Sequence, residues 1–315
     1  MTGGVSGGAT GRVVVLLSTY DGAAYLPAQL ASFQAQTHRD WTLLWRDDGS
    51  ADATVAVMDA FAATEPRCRR LDAPAGNLGV LGSFLALLRA AAPMLGPADA
   101  IAFADQDDVW LPEKLARGMA ALAAMPEGVP ALACTRQRLV DAHLSPLGES
   151  PPLRRPPGFP AALAQNIATG CTILLNRAAA LLVAGSEPPA GTLHDWWSYL
   201  LVSAAGGRVA VDAEPLVLYR QHARNTVGAP ASPLARARGA LRRGPGAFMR
   251  LLRAHLDALA ARPDLLAPQA RATVIRLRAA LAGGRLRRLA ALGTPGLIRQ
   301  TTLETLTFRL WLLLG

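Results

Sequence analysis

The amino-acid sequence predicts an α/β protein built on a mainly parallel sheet, and three observations carry that prediction. Continuous apolar runs, VVVLL at 13–17 and AIAFA at 100–104, read as strands buried on both faces. Between such runs lie segments of about ten to fifteen residues whose apolar side chains recur at helical spacing. A polar or glycine-rich cluster follows each of the first four runs, and open parallel sheets bind their ligands at those carboxyl ends.

Taken in order, RVVVLLS at 12–18 is the first strand, and YLPAQLASFQAQ repeats Leu26, Leu30 and Phe33 as a helix does. WTLLWR is the second strand, DDGSADATVAVMDAFAA a turn and a helix, RCRRLDA a short strand and GVLGSFLALLRAA a helix. AIAFA and LPEKLARGMAALAAM complete the regular part as strand and helix. After residue 126 the alternation loosens. PALACTRQRLVD reads as a strand, and the proline-rich 145–160 as a loop bordering the site. TGCTILLNRAAALLVAG reads as strand and helix, HDWWSYLLVSAAGG as a helix stopped by glycine, and RVAVDAEPLVLYRQH as two short strands. From 229 onward arginines are spaced along a helical pattern with no strand signal. The expected organisation is a disordered 1–11, an α/β domain at 12–228 and a basic helical region at 229–315.

Composition narrows the function classes. At 315 residues and 51% apolar content the chain can bury a large core without staples. Lys114 is the only lysine among 32 basic residues, so arginine abundance reflects codon usage more than function. Cys68, Cys134 and Cys171 lack paired spacing, which argues against a disulfide framework or a zinc knuckle. The start MTGGVSGGAT has no basic segment followed by an apolar one, and no run approaches the roughly 18–20 apolar residues of a membrane span. A cytoplasmic location is expected. Neither G-x-G-x-x-G after the first strand nor G-x-x-x-x-G-K-[ST] occurs, which argues against a Rossmann dehydrogenase or a P-loop NTPase.

The net charge of +9 is uneven. Residues 229–315 carry fifteen arginines against Asp257, Asp264 and Glu304, a net +12, which leaves −3 for residues 1–228. Leucine interleaved with arginine suits amphipathic helices lying on an anionic membrane surface, with Trp311 and its leucines dipping in. Ordinary helices packed on the α/β body fit the same pattern. Nucleic acid is disfavoured because the arginines lack interleaved aromatics.

The most concentrated charge is FADQDDVWLPEKL at 103–115, where Asp105, Asp107 and Asp108 follow a buried strand. Carboxylates spaced D-x-D suit a hard divalent cation, Mg²⁺ or Mn²⁺, whose remaining coordination sites accept phosphate oxygens. A plainer reading makes Asp107 or Asp108 the cap of a helix opening near Leu111. HDWW poses a similar pair of readings: Asp195 is either a helix cap or a carboxylate whose pKa dry, aromatic surroundings raise. Core packing accounts equally for Trp196 and Trp197.

FADQDDVWLPEKL resembles the D-x-D segment of inverting nucleotide-sugar glycosyltransferases of family 2, in particular the rhamnosyltransferase-like branch. STYDGAAYLPAQLASFQAQTHRDWTLLWRDDGSADAT, NLGVLGSFLALL, NIATGCTILLNR and HDWWSYLLVSAAGGRVAVDAEPLVLYRQHARN are similar to other blocks of that family, so the resemblance runs in order from 14 to 228. It implies a GT-A-like fold, with a helical C-terminal region beyond it, and a nucleotide-sugar donor carrying dTDP or UDP. By that resemblance Thr19 and Tyr20 border the nucleotide and Asp47 reads a uracil or thymine N3–H, while Asp48 and Ser50 serve the turn. Asp105 lies by the ribose or the metal shell, Asp107 holds the metal on the diphosphate, and Asp108 is a cap or a sugar contact. Asp195 matches the catalytic carboxylate. Arg220 is a candidate for the diphosphate and His222 for the metal. Gly170 and Cys171 line the acceptor side through close backbone approach. Asp21 stands where the family usually has asparagine.

The implied function is metal-dependent inverting transfer of a sugar, L-rhamnose from dTDP-L-rhamnose leading, to a hydroxyl of a bacterial cell-surface glycan or lipid-linked acceptor. A UDP-hexose or UDP-N-acetylhexosamine transferase of the same fold is the alternative. Two rivals stand outside that class. A sugar-1-phosphate nucleotidyltransferase would carry a glycine-rich, basic N-terminal signature that LLSTYDGAAYL lacks. A non-catalytic basic protein would act through 229–315 on membranes or nucleic acid.

Overall fold

The computed structural model describes residues 11–72, 76–222 and 233–315. Residues 1–10 of the expected disordered start, and the expected boundary at 228–229, lie outside the described residues. The first half alternates as its sequence periods require: β1 (Val13–Thr19), α1 (Leu26–Gln34), β2 (Trp41–Asp47), α2 (Thr54–Thr64), β3 (Cys68–Arg70), α3 (Gly79–Ala91) and β4 (Ala100–Ala104). There follow β5 (Val109–Trp110), α4 (Lys114–Ala123), β6 (Ala131–Val140), β7 (Pro146–Glu149), α5 (Ala161–Ala164), β8 (Leu174–Asn176), α6 (Arg177–Ala184), α7 (His194–Ala204) and β9 (Arg208–Arg220). The chain closes with α8 (Pro233–Ala261), α9 (Pro268–Ala282), α10 (Arg285–Leu292) and α11 (Thr302–Leu314).

The nine strands of the described residues join one sheet in the order β3-β2-β1-β4-β8-β6-β9-β5, with β7 paired to β6. The β3-β2-β1-β4 half is parallel. Beyond β4 the sheet is mixed: β8 runs antiparallel to both β4 and β6, β9 parallel to β6, and β5 antiparallel to β9. Along β1 the pleat sends Val13, Val15 and Leu17 into one core, with Phe33, Trp41, Trp45 and Leu115. Val14 and Leu16 enter the other, with Phe103, Leu87, Trp197 and Leu200. Burial on both faces is why the run lacks alternation.

The second core also takes in Met249, Leu252, Leu256, Phe308 and Leu312, so the C-terminal helices pack on the same body as α3 and α7. Trp311, expected to reach a membrane, is only 7% exposed. It lies 5.5 Å from Phe248 between ring centres, and the guanidinium of Arg299 sits 5.3 Å over its ring.

Three local expectations change. The two strands expected at 208–222 form the single β9, whose ladder to β6 slips around Arg136 opposite Pro215, a residue with no N–H to donate. The proline-rich 145–160 opens with the exposed β7 rather than a plain loop. The acidic segment runs into β5, and α4 starts only at Lys114. Asp107 and Asp108 therefore cap no helix. Among the described residues no helix is long and apolar enough to cross a membrane.

Candidate active site

The site forms where β1, β2 and β4 end. Thr19, the last residue of β1, donates its hydroxyl to Asp47 Oδ1 at 3.0 Å. Asp47 also accepts from Ser50 Oγ at 2.6 Å, from Ser50 N at 2.8 Å and from Gly49 N at 3.0 Å, where Gly49 takes a φ of +95°. Burial works against the charge of Asp47, but these bonds outweigh it and hold the carboxyl below its ordinary range. The division of labour expected at RDDGS is thus altered. Asp47 builds the turn, with roughly all four of its lone-pair sites taken. Asp48 is 4% exposed and turns inward to the buried Arg46 and to the backbone N–H of Leu78 at 2.7 Å. Arg46 in turn donates to Gly76 O at 2.6 Å, tying the third strand-end loop to the second.

Tyr20 is half exposed at the rim, and the acidic segment holds its backbone. Its N–H donates to Gln106 Oε1 at 2.8 Å, and Gln106 Nε2 donates to its carbonyl at 2.7 Å. A Cβ on Gly22 would stand 2.1 Å from that same Oε1, so a side chain there would displace the Gln106 amide. Asp21 has a φ of +46°, a region that asparagine and aspartate tolerate, and its Oδ1 accepts from Ala51 N at 2.8 Å. The departure from asparagine costs neither the turn nor the bridge.

Between β4 and β5 the three aspartates separate. Asp108 is fully buried; its Oδ1 accepts from Arg220 N at 3.1 Å, and among the described residues its carboxyl otherwise meets only the weak donor of the Cys171 thiol. Asp105, Asp108 and Cys171 offer ligand atoms within 4.8 Å of one another. Asp107 instead meets His222, Oδ2 to Nε2, at 2.7 Å. Arg220 is buried under this pair rather than loose in a surface loop: its Nε donates to Asp107 O at 2.7 Å and its Nη1 to Ala142 O. Tyr25 stacks on His222 at 4.7 Å, and the guanidinium of Arg220 lies 4.8 Å from the centre of the Tyr25 ring.

Burial, then the charges of Asp107 and Asp195, pushes the Asp105 carboxyl up to about 7. Burial, then Asp107 and Asp105, drives Asp108 well above the carboxylate range. Crowded, desolvated carboxylates of this kind fit a divalent cation, which relieves the repulsion. The oxygen donors suit a hard ion. Burial drives the Cys171 thiol well above its usual value, so it stays protonated and is a poor ligand. Lys114 is also fully buried, its Nζ 3.5 Å from the centre of the Trp110 ring, and burial pushes it down to about 7.

Asp195 lies in the first turn of α7, while Leu193 takes the cap position, so the cap reading fails. Its Oδ2 accepts from Gly170 N at 3.2 Å and its Oδ1 from Trp196 N at 2.5 Å. Burial pushes the carboxyl up to about 6, against bonds from Trp196, Gly170 and Asn166. Gly170 has no room for a side chain: a Cβ would stand 2.6 Å from His194 Nε2. The tryptophans are packing residues, Trp197 bonded to Ser186 Oγ and Trp196 to Ala162 O, each at 2.8 Å.

Of the residues named from the sequence, the structure pairs Thr19 with Asp47 and Asp107 with both His222 and Arg220, sets Asp105 within the field of Asp107 and Asp195, and holds Tyr20 through Gln106. Sequence reading missed Gln106, Tyr25, Arg46 and Lys114. Gln106 sits inside the D-Q-D-D string and Lys114 is the only lysine, so both carried a signal.

The match to glycosyl transferase family 2 spans residues 14–180. A dTDP-rhamnosyl transferase, RfbG of Shigella flexneri, is 26% identical over 233 residues, covering 68% of this chain and 74% of the relative. An uncharacterized glycosyltransferase of Nostoc sp. is 36% identical over 106 residues, 34% of this chain and 31% of its own. Among solved structures, S. aureus TarS 1-349 in complex with UDP-GlcNAc superposes with a TM-score of 0.58 at 13% identity, over 89% of this chain and 73% of that one. The fold is that of the GT-A glycosyltransferases, and the chain belongs to glycosyl transferase family 2.

Proposed function

We propose that the protein transfers a sugar from a nucleoside diphosphate to an acceptor hydroxyl with inversion at the anomeric carbon, in a reaction that depends on Mg²⁺ or Mn²⁺. The supporting observation is the acidic cluster beyond β4, where Asp105 and Asp108 bring carboxylate oxygens within 4.8 Å of each other and of Cys171, and where burial, then the charges of Asp107 and of Asp195 on α7, raise the carboxyl of Asp105. The leading donor is dTDP-L-rhamnose, supported by the family blocks of 14–228 and by the relative that transfers rhamnose from dTDP. The acceptor is a hydroxyl of a cell-surface glycan or of its lipid-linked precursor.

In this reading Asp195 Oδ accepts the acceptor proton as the acceptor oxygen attacks the anomeric carbon opposite the leaving group. One C–O bond forms while the C–O bond to the diphosphate breaks, and the nucleoside diphosphate leaves. A carboxyl raised to about 6 is ionised at neutral pH yet more basic than an ordinary aspartate, which suits a general base. Asp107 and His222 would hold the cation, with the buried carboxylates of Asp105 and Asp108 beside them; when bound, the ion would neutralise charge developing on the departing diphosphate. Arg220 acts from beneath, fixing the Asp107 carbonyl and the Asp108 carboxylate. Asp47 serves the nucleotide side by shaping the turn next to Thr19 and Tyr20.

A nucleotide-sugar panel in a thermal-shift assay tests the donor. With Mn²⁺ or Mg²⁺ present, dTDP-rhamnose at a hundredfold excess over Kd raises the melting point by about 4 °C. Without the cation the shift vanishes. No shift from any dTDP- or UDP-sugar with either ion sinks the donor assignment.

A further inference from the structure

The C-terminal helices carry an apolar surface that the packed core does not use. Of the twelve large hydrophobic side chains exposed in the described residues, seven fall between Ile275 and Leu314. Four of them, Leu303, Leu306, Leu310 and Leu314, lie on α11 at 53–70% exposure. Their spacing of three, four and four residues places them on one narrow stripe of the helix. The opposite side of α11 is buried through Phe308, Trp311 and Leu312, so the stripe faces away from the core. α10, packed against α11, adds Leu286 at 84% and Leu289 at 49% exposure.

The charge around these leucines has one sign. Residues 271–315 contain eight arginines and a single acidic residue. That residue, Glu304, is engaged in the capping box of α11, where its carboxylate accepts from Thr301 N and Thr301 Oγ1. On α10 Arg287 is exposed and Arg288 half-buried beside the leucines, and Arg309 flanks the stripe of α11. A second copy of the chain docking here would bring two such basic faces together without acidic residues to match them. A surface that takes leucine side chains and offers dense negative charge answers both properties.

We propose that the exposed face of α10 and α11 docks the protein on an anionic lipid bilayer, with Leu303, Leu306, Leu310 and Leu314 entering the interface and the arginines meeting the headgroups. The docking surface does not depend on the donor or on the catalytic assignment, and it gives a lipid-linked acceptor a reason to meet this active site. It also replaces Trp311, which is packed inside, with the leucines as the inserting residues.

The test is vesicle co-sedimentation of the full chain. Vesicles of phosphatidylcholine alone and of an equimolar phosphatidylglycerol mixture serve as probes, at low and high salt. Wild type should partition at least about tenfold more strongly onto the anionic vesicles and lose that preference in high salt. L306E combined with L310E should lose most of the binding while keeping its melting point, because both leucines are exposed. The same variant should release nucleoside diphosphate from the donor as wild type does, which separates this surface from the catalytic reading. Equal binding to neutral vesicles, or binding untouched by the leucine changes, overturns the proposal. So does a concentration-dependent dimer dissolved by L306E and L310E, which would give the face to a second copy.

Discussion

Asp195 and Gly170 show how much of the site is decided by single atoms. The carboxyl of Asp195 is raised to about 6 because burial outweighs the hydrogen bonds it accepts, so it ionises only above that pH. A general base must be ionised to accept a proton, so kcat/KM is expected to rise through about pH 6 and level off above it. A pH–rate profile flat from 5 to 8 would remove Asp195 from that role. Gly170 supplies one of those bonds and leaves no space beside His194. Gly170→Ala should cost about 1–3 kcal/mol through overpacking and should disturb catalysis more than donor affinity. Melting curves and a split of kcat from KM would check both. At this scale the sequence was informative about residue types but not about directions. Arg46 and Asp48 are buried while Asp47 stays at the rim, and because β2 packs on both faces no alternation marks which aspartate turns inward.

At the scale of elements, the polar strand-end loops form one connected rim. Gln106 joins the loop after β1 to the segment after β4 through two hydrogen bonds, and Asp21 and Thr19 join the first loop to the turn after β2. Gln106→Ala should leave the fold intact and raise the donor KM by roughly tenfold, since two neutral hydrogen bonds contribute about 1–3 kcal/mol to ordering that loop. A KM unchanged in steady-state kinetics would make Gln106 a bystander. The elements that periodicity made legible are those with a full helical or strand period behind them: α3 runs from Gly79 to Ala91, the span that its leucines mark. The two-residue β5 was invisible because it exists only through its pairing with Leu218 and Val217 far along the chain. β9 was split in reading because Pro215 looks like a stop, whereas the partner strand absorbs it as a register shift.

Across the whole molecule, a parallel half-sheet lays out the loops that carry Thr19, Asp47 and Asp105, and a mixed half brings α7 and the end of β9 beside them. Asp195 thereby comes near Asp105, about ninety residues earlier in sequence, and His222 pairs with Asp107, 115 residues earlier. The C-terminal helices complete the second core rather than hanging beside it, which ties the basic surface rigidly to the catalytic body. The central claim is that the carboxylates at the strand ends perform sugar transfer, and its most direct measurement is nucleoside diphosphate release coupled to acceptor glycosylation for wild type, Asp107→Asn and Asp195→Asn. Asp195→Asn should lower kcat by about 10²–10⁴ with donor affinity kept, and Asp107→Asn should lose cation-dependent donor binding, both with the melting point of a folded protein. Transfer at the wild-type rate by either folded variant would contradict the account.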